Sequence, residues 1–216
     1  MVSMTHKQQT TSRDPAFLDD ASLPWAVDMD GTLIAQDVTE VARDISFVTP
    51  HYWLLCLVCL ILYFSRLSRI TAYRLWERFV QIDPSKLDYN QRLLQHVSRH
   101  RRRGGLVTLA SASHVHITRI VANYVEELIE KSSSAQTLRL FEDVIGRYPP
   151  KTWNAAGLVK ARLIEERFPT GFVYAGNSTE DLEVWQHPAC LAMILVNCPP
   201  DVLQQAKQIA KPFVVL

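Results

Sequence analysis

The chain has 216 residues, 48% of them apolar, and a formal net charge of +1 at neutral pH. A chain of this length and apolar content can bury the core of one full α/β domain with a small insertion. A net charge so close to zero gives no general attraction to polyanions, so we expect no nucleic acid partner. Its four cysteines are too few for a disulfide-rich framework in a chain this long, which favours a reducing, cytoplasmic location.

The first 22 residues are predicted to form a flexible tail. Residues 1–14 are polar and lack the apolar core of a signal peptide. We therefore expect the folded domain to begin near residue 23.

Short apolar runs that alternate with helical patterns predict a parallel sheet. The candidate strands are 25–27, 106–110, 138–141 with 144–145, 172–175 and 191–196. The candidate helices, with apolar residues at helical spacing, are 114–129, 155–168, 182–187 and 200–210. Because strands and helices alternate, we expect an α/β fold with a Rossmann-like, doubly wound parallel sheet.

The segment 37–104 interrupts this alternation after the first strand. It contains no convincing strand and two predicted helical stretches, near 50–80 and 88–102. We interpret it as a helical cap inserted between two parts of a core domain, 23–36 and 105–216. Ligands of such sheets lie beyond the carboxyl ends of the strands, so an insertion that leaves this edge is placed to cover the site.

The run YWLLCLVCLILYF at 52–64 is apolar on all sides. As a helix it would extend about 20 Å, which is less than the roughly 30 Å hydrocarbon core of a bilayer. Aromatic residues at both ends, with arginines beyond them, also suit a membrane surface. Three interpretations remain open: a helix buried in the cap, a helix that docks on a membrane surface or a protein partner, and a membrane span.

Polar residues follow the ends of several predicted strands. Asp28 and Asp30 follow the first, residues 111–114 (SASH) the second, and residues 176–178 (GNS) the fourth. In a parallel sheet these clusters meet at one edge. Mg²⁺ prefers oxygen ligands, and hydroxyl and ammonium groups neutralise phosphoryl oxygens. The pattern therefore predicts a site for a divalent cation and a phosphoryl group.

The motif DMDGTL at 28–33 resembles the first motif of the haloacid dehalogenase (HAD) phosphatases, and the other clusters follow in that family's order. The similarity is closest to the HAD domains that are fused to, or encoded beside, membrane prenyltransferases of the ubiquinone-biosynthesis type. The segments YNQRLLQHV, LVTLASAS, FEDVIG, YAGNSTEDLEVW and ILVNCPP carry this resemblance, which covers about residues 22–205.

The resemblance implies a Mg²⁺-dependent phosphatase that acts on a small or lipid-linked (prenyl) phosphomonoester. Asp28 would be the nucleophile that forms an aspartyl-phosphate, and Asp30 the general acid and base. The implied phosphate-binding residues are Gly31, Thr32, Ser111 and Ala112. The implied metal ligands are Asp28, Asp30 (through its backbone carbonyl), Asn177 and Asp181. The alternative for Asp181 is that it only caps the following helix.

Two positions depart from the family pattern. Asn177 stands where the family usually has an aspartate, so weaker metal binding is expected. Ala156 stands where the relatives have the lysine of N-x-K-G. Lys160, one helical turn later, is our candidate for the missing catalytic ammonium, and Lys151 in the preceding loop is the alternative.

These departures leave two other functions open. One is a catalytically weakened HAD module that binds a prenyltransferase or the inner face of a membrane. The other is a phosphotransferase, in which an alcohol rather than water accepts the phosphoryl group.

Overall fold

A computed structural model describes residues 15–49, 51–64, 82–132, 139–148 and 155–216. Six strands form one sheet in the order β3-β2-β1-β4-β5-β6, and every neighbouring pair is parallel. The strands are β1 (Trp25–Asp28), β2 (Val107–His114), β3 (Asp143–Arg147), β4 (Phe172–Gly176), β5 (Cys190–Leu195) and β6 (Phe213–Val215). The predicted α/β fold with a parallel sheet is confirmed.

Seven α-helices lie within the described residues. They are α1 (Val38–Val48), α2 (His51–Phe64), α3 (Gln91–Arg102), α4 (Val115–Ser132), α5 (Gly157–Arg167), α6 (Asp181–Gln186) and α7 (Pro200–Ala206). The predicted helices in the second half of the chain match α4 to α7, although α7 ends four residues earlier than expected. The sequence patterns did not identify α1 or β6.

Helices cover both faces of the sheet. On one face, Leu93 of α3 and Val121 of α4 pack with Val27 of β1 in one buried cluster. On the other face, Ile164 of α5 and Trp185 of α6 pack with residues of β4 and β5 in a second cluster. Since successive strand residues point to opposite faces, every strand in the middle of the sheet contributes to both clusters. The doubly wound arrangement explains why β4 and β5 are apolar along their length.

The division into tail, cap and core stays a prediction, but packing bears on two of its boundaries. Phe17 and Leu18, in a short 3₁₀ helix within the predicted tail, are buried in the same cluster as β1. Helix α3, placed in the predicted cap, covers the sheet directly, and its His100 ring stacks on Trp25 of β1 with ring centroids 4.3 Å apart. This packing favours an insertion that ends before residue 91.

Helix α2 exposes most of its apolar side chains. Trp53, Leu54 and Ile61 are 61%, 70% and 58% exposed, whereas Leu55 packs against the core cluster. Among the described residues only one side of α2 contacts the rest of the protein, so burial in the cap and docking on a surface both stay predictions. No helix among the described residues is both long enough and apolar enough to cross a membrane.

Candidate active site

A cleft of about 470 Å³ opens at the carboxyl ends of β1, β2 and β4. This is the position where the strand order reverses, since the chain runs from β1 to β3 on one side and from β4 to β6 on the other. The residues that line it include Asp28, Asp30, Ala112, Ser113, Lys160 and Asn177. The polar clusters predicted to meet at one edge of the sheet therefore do meet there.

The turn after β1 brings the first and fourth strand ends together. Gly31 has a φ of +74°, a left-handed conformation that side chains disfavour. A Cβ atom at this position would lie 2.2 Å from Nδ2 of Asn177, which no real contact allows. Glycine is thus needed both for the turn and for the approach of Asn177.

Asp28 is buried in an ion pair with Lys160. Nζ of Lys160 donates to Oδ1 of Asp28 at 2.7 Å, and Oγ1 of Thr32 donates to Oδ2 at 3.1 Å. Burial raises the pKa of Asp28, and the Lys160 charge opposes this rise. Burial also disfavours the Lys160 charge, but the Asp28 and Asp181 carboxylates outweigh that effect and raise the pKa of Lys160. Lys160 is therefore a cation at neutral pH.

Lys160 supplies the ammonium although it lies one turn beyond the expected position. Only 3% of the residue is exposed, so Lys160 is not a solvated charge on the helix surface. The helix that carries it begins at Gly157, where Oε2 of Glu183 accepts the N–H of Leu158 at 2.7 Å. The competing candidate, Lys151, lies outside the described residues.

Asp181 holds the loop that presents Asn177. Its Oδ2 accepts the backbone N–H groups of Asn177 and Ser178, both at 2.9 Å, and the Ser178 hydroxyl at 3.0 Å. Its Oδ1 accepts the hydroxyl of Tyr174 at 2.7 Å. A Cβ at Gly176 would lie 2.7 Å from this carboxylate, which explains the glycine. Its Oδ2 is occupied by the loop and its Oδ1 by Tyr174, and Asp181 is not among the residues that line the cleft, so the structure supports neither the capping of α6 nor the implied role of Asp181 as a direct metal ligand.

Asp30 faces a different set of partners. Its Oδ1 accepts the backbone N–H of Val38 at 2.8 Å, and its Oδ2 accepts the hydroxyls of Ser111 and Ser113 at 2.9 and 3.1 Å. Burial raises the pKa of Asp30, while these hydrogen bonds oppose the rise. The carboxyl group thus lies in the cleft among neutral donors, an environment that permits both protonation states.

Helix α1 closes this side of the cleft. Asp37 caps the helix by accepting the N–H groups of Thr39 and Glu40 at 2.8 and 3.2 Å. The Thr39 hydroxyl lies 3.1 Å from that of Ser113. The spacing of Asp37 and Glu40 is that of a capping box, and it was the sequence signal that could have identified α1.

The four implied phosphate-binding residues fall into two groups. Gly31 and Ala112 line the cleft. Thr32 and Ser111 are fully buried behind it, and their hydroxyls bind Asp28 and Asp30. Ser113, which the sequence did not assign to phosphate binding, lines the cleft where Ser111 does not.

Tyr174 is a second residue that the sequence did not single out. It lies in β4, for which the sequence predicted only an apolar strand. Its hydroxyl accepts a hydrogen bond from Nζ of Lys160 at 3.0 Å and donates to Asp181. Burial, followed by the Asp181 charge, raises its pKa well above the ordinary value, so it remains a neutral phenol. A buried tyrosine hydroxyl usually has a hydrogen-bond partner. In the sequence, that expectation was the only indication of a polar role for Tyr174.

The oxygen atoms of the cleft suit a magnesium ion. The Thr32 hydroxyl lies 3.1 Å from both Oδ2 of Asp28 and Oδ1 of Asn177, but its single proton satisfies only one of them. A carboxylate and an amide oxygen are thus adjacent and not fully satisfied, and both are hard ligands. Among the described residues no group of three His, Cys, Asp or Glu side chains is arranged to hold a metal.

Comparison with known sequences finds a distant relative of this chain. No family model matches the chain. The chain is 26% identical over 168 residues to an uncharacterized protein, y4nM, of Sinorhizobium fredii. That alignment covers 77% of this chain but only 29% of the relative, so the chain spans less than a third of the relative's length.

Comparisons with solved structures show the fold. A haloacid dehalogenase-like hydrolase, SP0104 of Streptococcus pneumoniae, is 10% identical with a TM-score of 0.54, covering 89% of this chain and 93% of that one. A putative β-phosphoglucomutase of Thermotoga maritima is 14% identical with a TM-score of 0.53, covering 89% and 94%. A substrate-bound phosphoserine phosphatase is 10% identical with a TM-score of 0.52, covering 89% and 92%. The chain therefore has the fold of the HAD-family hydrolases.

Proposed function

We propose that this protein is a Mg²⁺-dependent phosphatase of the HAD type that hydrolyses a phosphomonoester. The observation that carries the proposal is the pairing of Asp28 with the buried Lys160 at 2.7 Å, beside Asp30 in the same cleft. A carboxylate fixed by a cation, next to a second carboxyl group with a different environment, is the arrangement that two-stage phosphoryl transfer requires.

In the proposed reaction Asp28 attacks phosphorus while the bond from phosphorus to the leaving oxygen breaks. Asp30 gives its proton to that oxygen, and the alcohol product departs. Asp30 then takes a proton from water as the water oxygen attacks the aspartyl-phosphate, which releases inorganic phosphate and restores Asp28. Lys160 stabilises the negative charge near Asp28 in both stages.

The metal would be held by Asp28, Asn177 and the backbone carbonyl of Asp30. When bound, Mg²⁺ neutralises phosphoryl oxygens and holds the phosphate in line with the nucleophile. Asp181 does not contact the metal in this proposal. It keeps Asn177 in position by accepting the backbone N–H of that residue. Asn177 brings no charge, so we expect weaker Mg²⁺ binding than with an aspartate. Full activity should therefore need a higher Mg²⁺ concentration.

The test is hydrolysis of p-nitrophenyl phosphate with and without Mg²⁺. We expect activity that is abolished by excess EDTA, restored by Mg²⁺ and absent in Asp28→Asn. A matched control is Asp201→Asn, which changes an exposed aspartate on α7. Equal rates for wild type and Asp28→Asn would overturn the proposal.

The natural substrate is proposed only as a class: a small or lipid-linked phosphomonoester. A panel that includes sugar phosphates, phosphoamino acids and prenyl phosphates, assayed by phosphate release, would sort these possibilities. Inclusion of alcohols as acceptors would detect phosphotransfer, the remaining alternative reaction of the same aspartyl-phosphate.

A second candidate function, favoured by the exposed side of α2, is attachment to an anionic membrane surface. Trp53, Leu54, Leu57 and Ile61 are all more than half exposed, and four arginines follow between residues 66 and 78 in the sequence. Apolar side chains beside basic residues are typical of interfacial helices. Co-flotation with vesicles that contain phosphatidylserine, lost in Leu54→Gln/Leu57→Gln/Ile61→Gln, would support attachment.

Vesicle binding that is unchanged in that triple variant, or absent in the wild type, would contradict this second function. A matched control is Leu158→Gln, an exposed leucine on α5. Activity on p-nitrophenyl phosphate is measured in parallel, since the attachment and the phosphatase activity are independent properties.

A further inference from the structure

We infer that Tyr174 is a positioning residue for Lys160, and that its hydroxyl makes a lysine one helical turn beyond the expected position effective at Asp28. The effect of this contact on catalysis rests on the proposed function. The contact between Tyr174 and Lys160 does not depend on it.

Three oxygens surround the ammonium group. Nζ of Lys160 lies 2.7 Å from Oδ1 of Asp28, 3.0 Å from the Tyr174 hydroxyl and 3.5 Å from Oδ1 of Asp181. An ammonium has three donors and no acceptor, so three oxygens on different sides fix its direction as well as its charge. Tyr174 is the nearest of the two partners that do not belong to the nucleophile.

The direction of each hydrogen bond in this group follows from chemistry. Asp181 accepts only, so the Tyr174 proton is directed to Oδ1 of Asp181 at 2.7 Å. A lone pair of the hydroxyl is then left for Lys160. Tyr174 thereby connects Asp181 to Lys160, and Asp181 in turn fixes Asn177. The Asp181 carboxylate therefore helps to fix the positions of both the Lys160 ammonium and the Asn177 side chain.

The contact has a consequence for the reaction cycle. When Asp28 becomes an aspartyl-phosphate, its carboxylate charge is lost and the negative charge near Lys160 moves to the phosphoryl oxygens. The Tyr174 hydroxyl and Asp181 keep their positions at that stage, so the long lysine stem stays ordered. A lysine held by Asp28 alone would be free to move when its charge is needed for the second displacement.

The packing of Tyr174 explains why this hydroxyl can serve as a fixed partner. Tyr174 is fully buried in the cluster formed by β4, α5 and α6, and its ring lies edge-on to Trp185 with centroids 6.4 Å apart. Tyr174→Phe keeps the ring and its packing and removes only the hydroxyl. This substitution therefore isolates the hydrogen bonds.

The experiment is a kinetic double-mutant cycle with p-nitrophenyl phosphate, using Tyr174→Phe, Lys160→Met and the double variant. We expect Tyr174→Phe to lower kcat about tenfold with little change in KM, as loss of a supporting hydrogen bond does. In the Lys160→Met background the same change should alter kcat less than about twofold, because its effect passes through Lys160. Tyr89→Phe, which loses a hydroxyl bond to the Pro84 carbonyl, is the matched control and should leave kcat unchanged.

Equal losses in both backgrounds, or no loss in the wild-type background, would overturn the inference. A purely structural role would lower the unfolding midpoint and reduce kcat by the same factor with or without Lys160.

A second readout separates this inference from the proposed function. Urea unfolding of the same four proteins measures the contact without any substrate. We expect Tyr174→Phe to shift the unfolding midpoint less in the Lys160→Met background than in wild type, and Lys160→Gln replaces Lys160→Met if the latter does not fold. Additive shifts would refute the contact, whereas non-additive shifts in a protein with no phosphatase activity would refute only the proposed function.

Discussion

The two walls of the cleft place different groups around Asp28 and Asp30. On the wall made by β4 and α5, Asp28 is paired with the Lys160 cation. On the wall made by β2 and α1, Asp30 is bound by two serine hydroxyls and a backbone N–H. Burial raises the pKa of both carboxyl groups, but Asp28 has a cation beside it that favours its charged form, whereas Asp30 has only neutral donors. Two similar side chains, one residue apart, thus acquire different chemistry from the elements around them.

The largest effect is expected on the charged wall. Asp28→Asn removes the nucleophile with little change in shape, so kcat for p-nitrophenyl phosphate should fall at least about 10³-fold, as for other essential nucleophiles. The measurement is the steady-state rate under saturating Mg²⁺. Activity of Asp28→Asn close to the wild-type rate would show that Asp28 is not the nucleophile.

Lys160→Met should lower kcat by about 10²- to 10³-fold, the usual effect of losing one preorganised partner of the transition-state charge. The same initial-rate assay measures it. Lys207→Met, at an exposed lysine that follows α7, is the matched control and should have the wild-type rate. If both variants lose activity equally, the buried ion pair is not the source of the effect.

The protonation of Asp30 predicts a pH-dependent change in stability. Burial gives Asp30 a higher pKa in the folded chain than its ordinary value of 3.8. The folded state then binds more protons above that pH, so this group lowers stability as the pH rises through the interval. Asp30→Asn should therefore gain stability relative to wild type as the pH rises above that ordinary pKa, although activity is lost.

Thermal unfolding in EDTA at several pH values measures this difference. An unfolding temperature of Asp30→Asn that falls relative to that of wild type as the pH rises would contradict the assignment of a raised pKa. Asp88→Asn, at an aspartate in the loop before α3, provides the comparison for a general loss of charge.

The smallest effect is expected for a single hydroxyl of the neutral wall. Ser113→Ala removes one of three donors to Asp30 and should change kcat by about two- to tenfold, in line with the net value of one hydrogen bond. Ser98→Ala on α3 is the control. A loss as large as that of Lys160→Met would mean that Ser113 contacts the phosphate directly.

The fold and the positions of both aspartates could be predicted from the sequence. Apolar runs that end in polar residues mark β1, β2 and β4, and the parallel arrangement then brings Asp28, Asp30 and Asn177 to one edge. The three-residue strand β6 could not be predicted, because so short a run at the border of a sheet carries no periodicity. The same holds for the exposure of α2, since uniform apolarity does not say what covers a helix.

The details of the charged wall were beyond sequence reasoning for a physical reason. Whether Lys160 or Lys151 reaches Asp28 depends on the path of a flexible stem, which spacing alone does not fix. Tyr174 resembles a core residue until its hydroxyl is seen between Lys160 and Asp181. Ser113, rather than Ser111, lines the cleft, and it lies at the end of β2 where the register against β3 is irregular, which the sequence pattern does not reveal.

The most direct test of the account is detection of the covalent intermediate on Asp28. The protein is mixed with p-nitrophenyl phosphate and Mg²⁺, quenched in acid within the first turnover and digested for mass spectrometry. The account predicts one added phosphoryl group on the peptide that contains Asp28, and none in Asp28→Asn. A phosphoryl group on another residue, or substrate hydrolysis at the wild-type rate by Asp28→Asn, would contradict it.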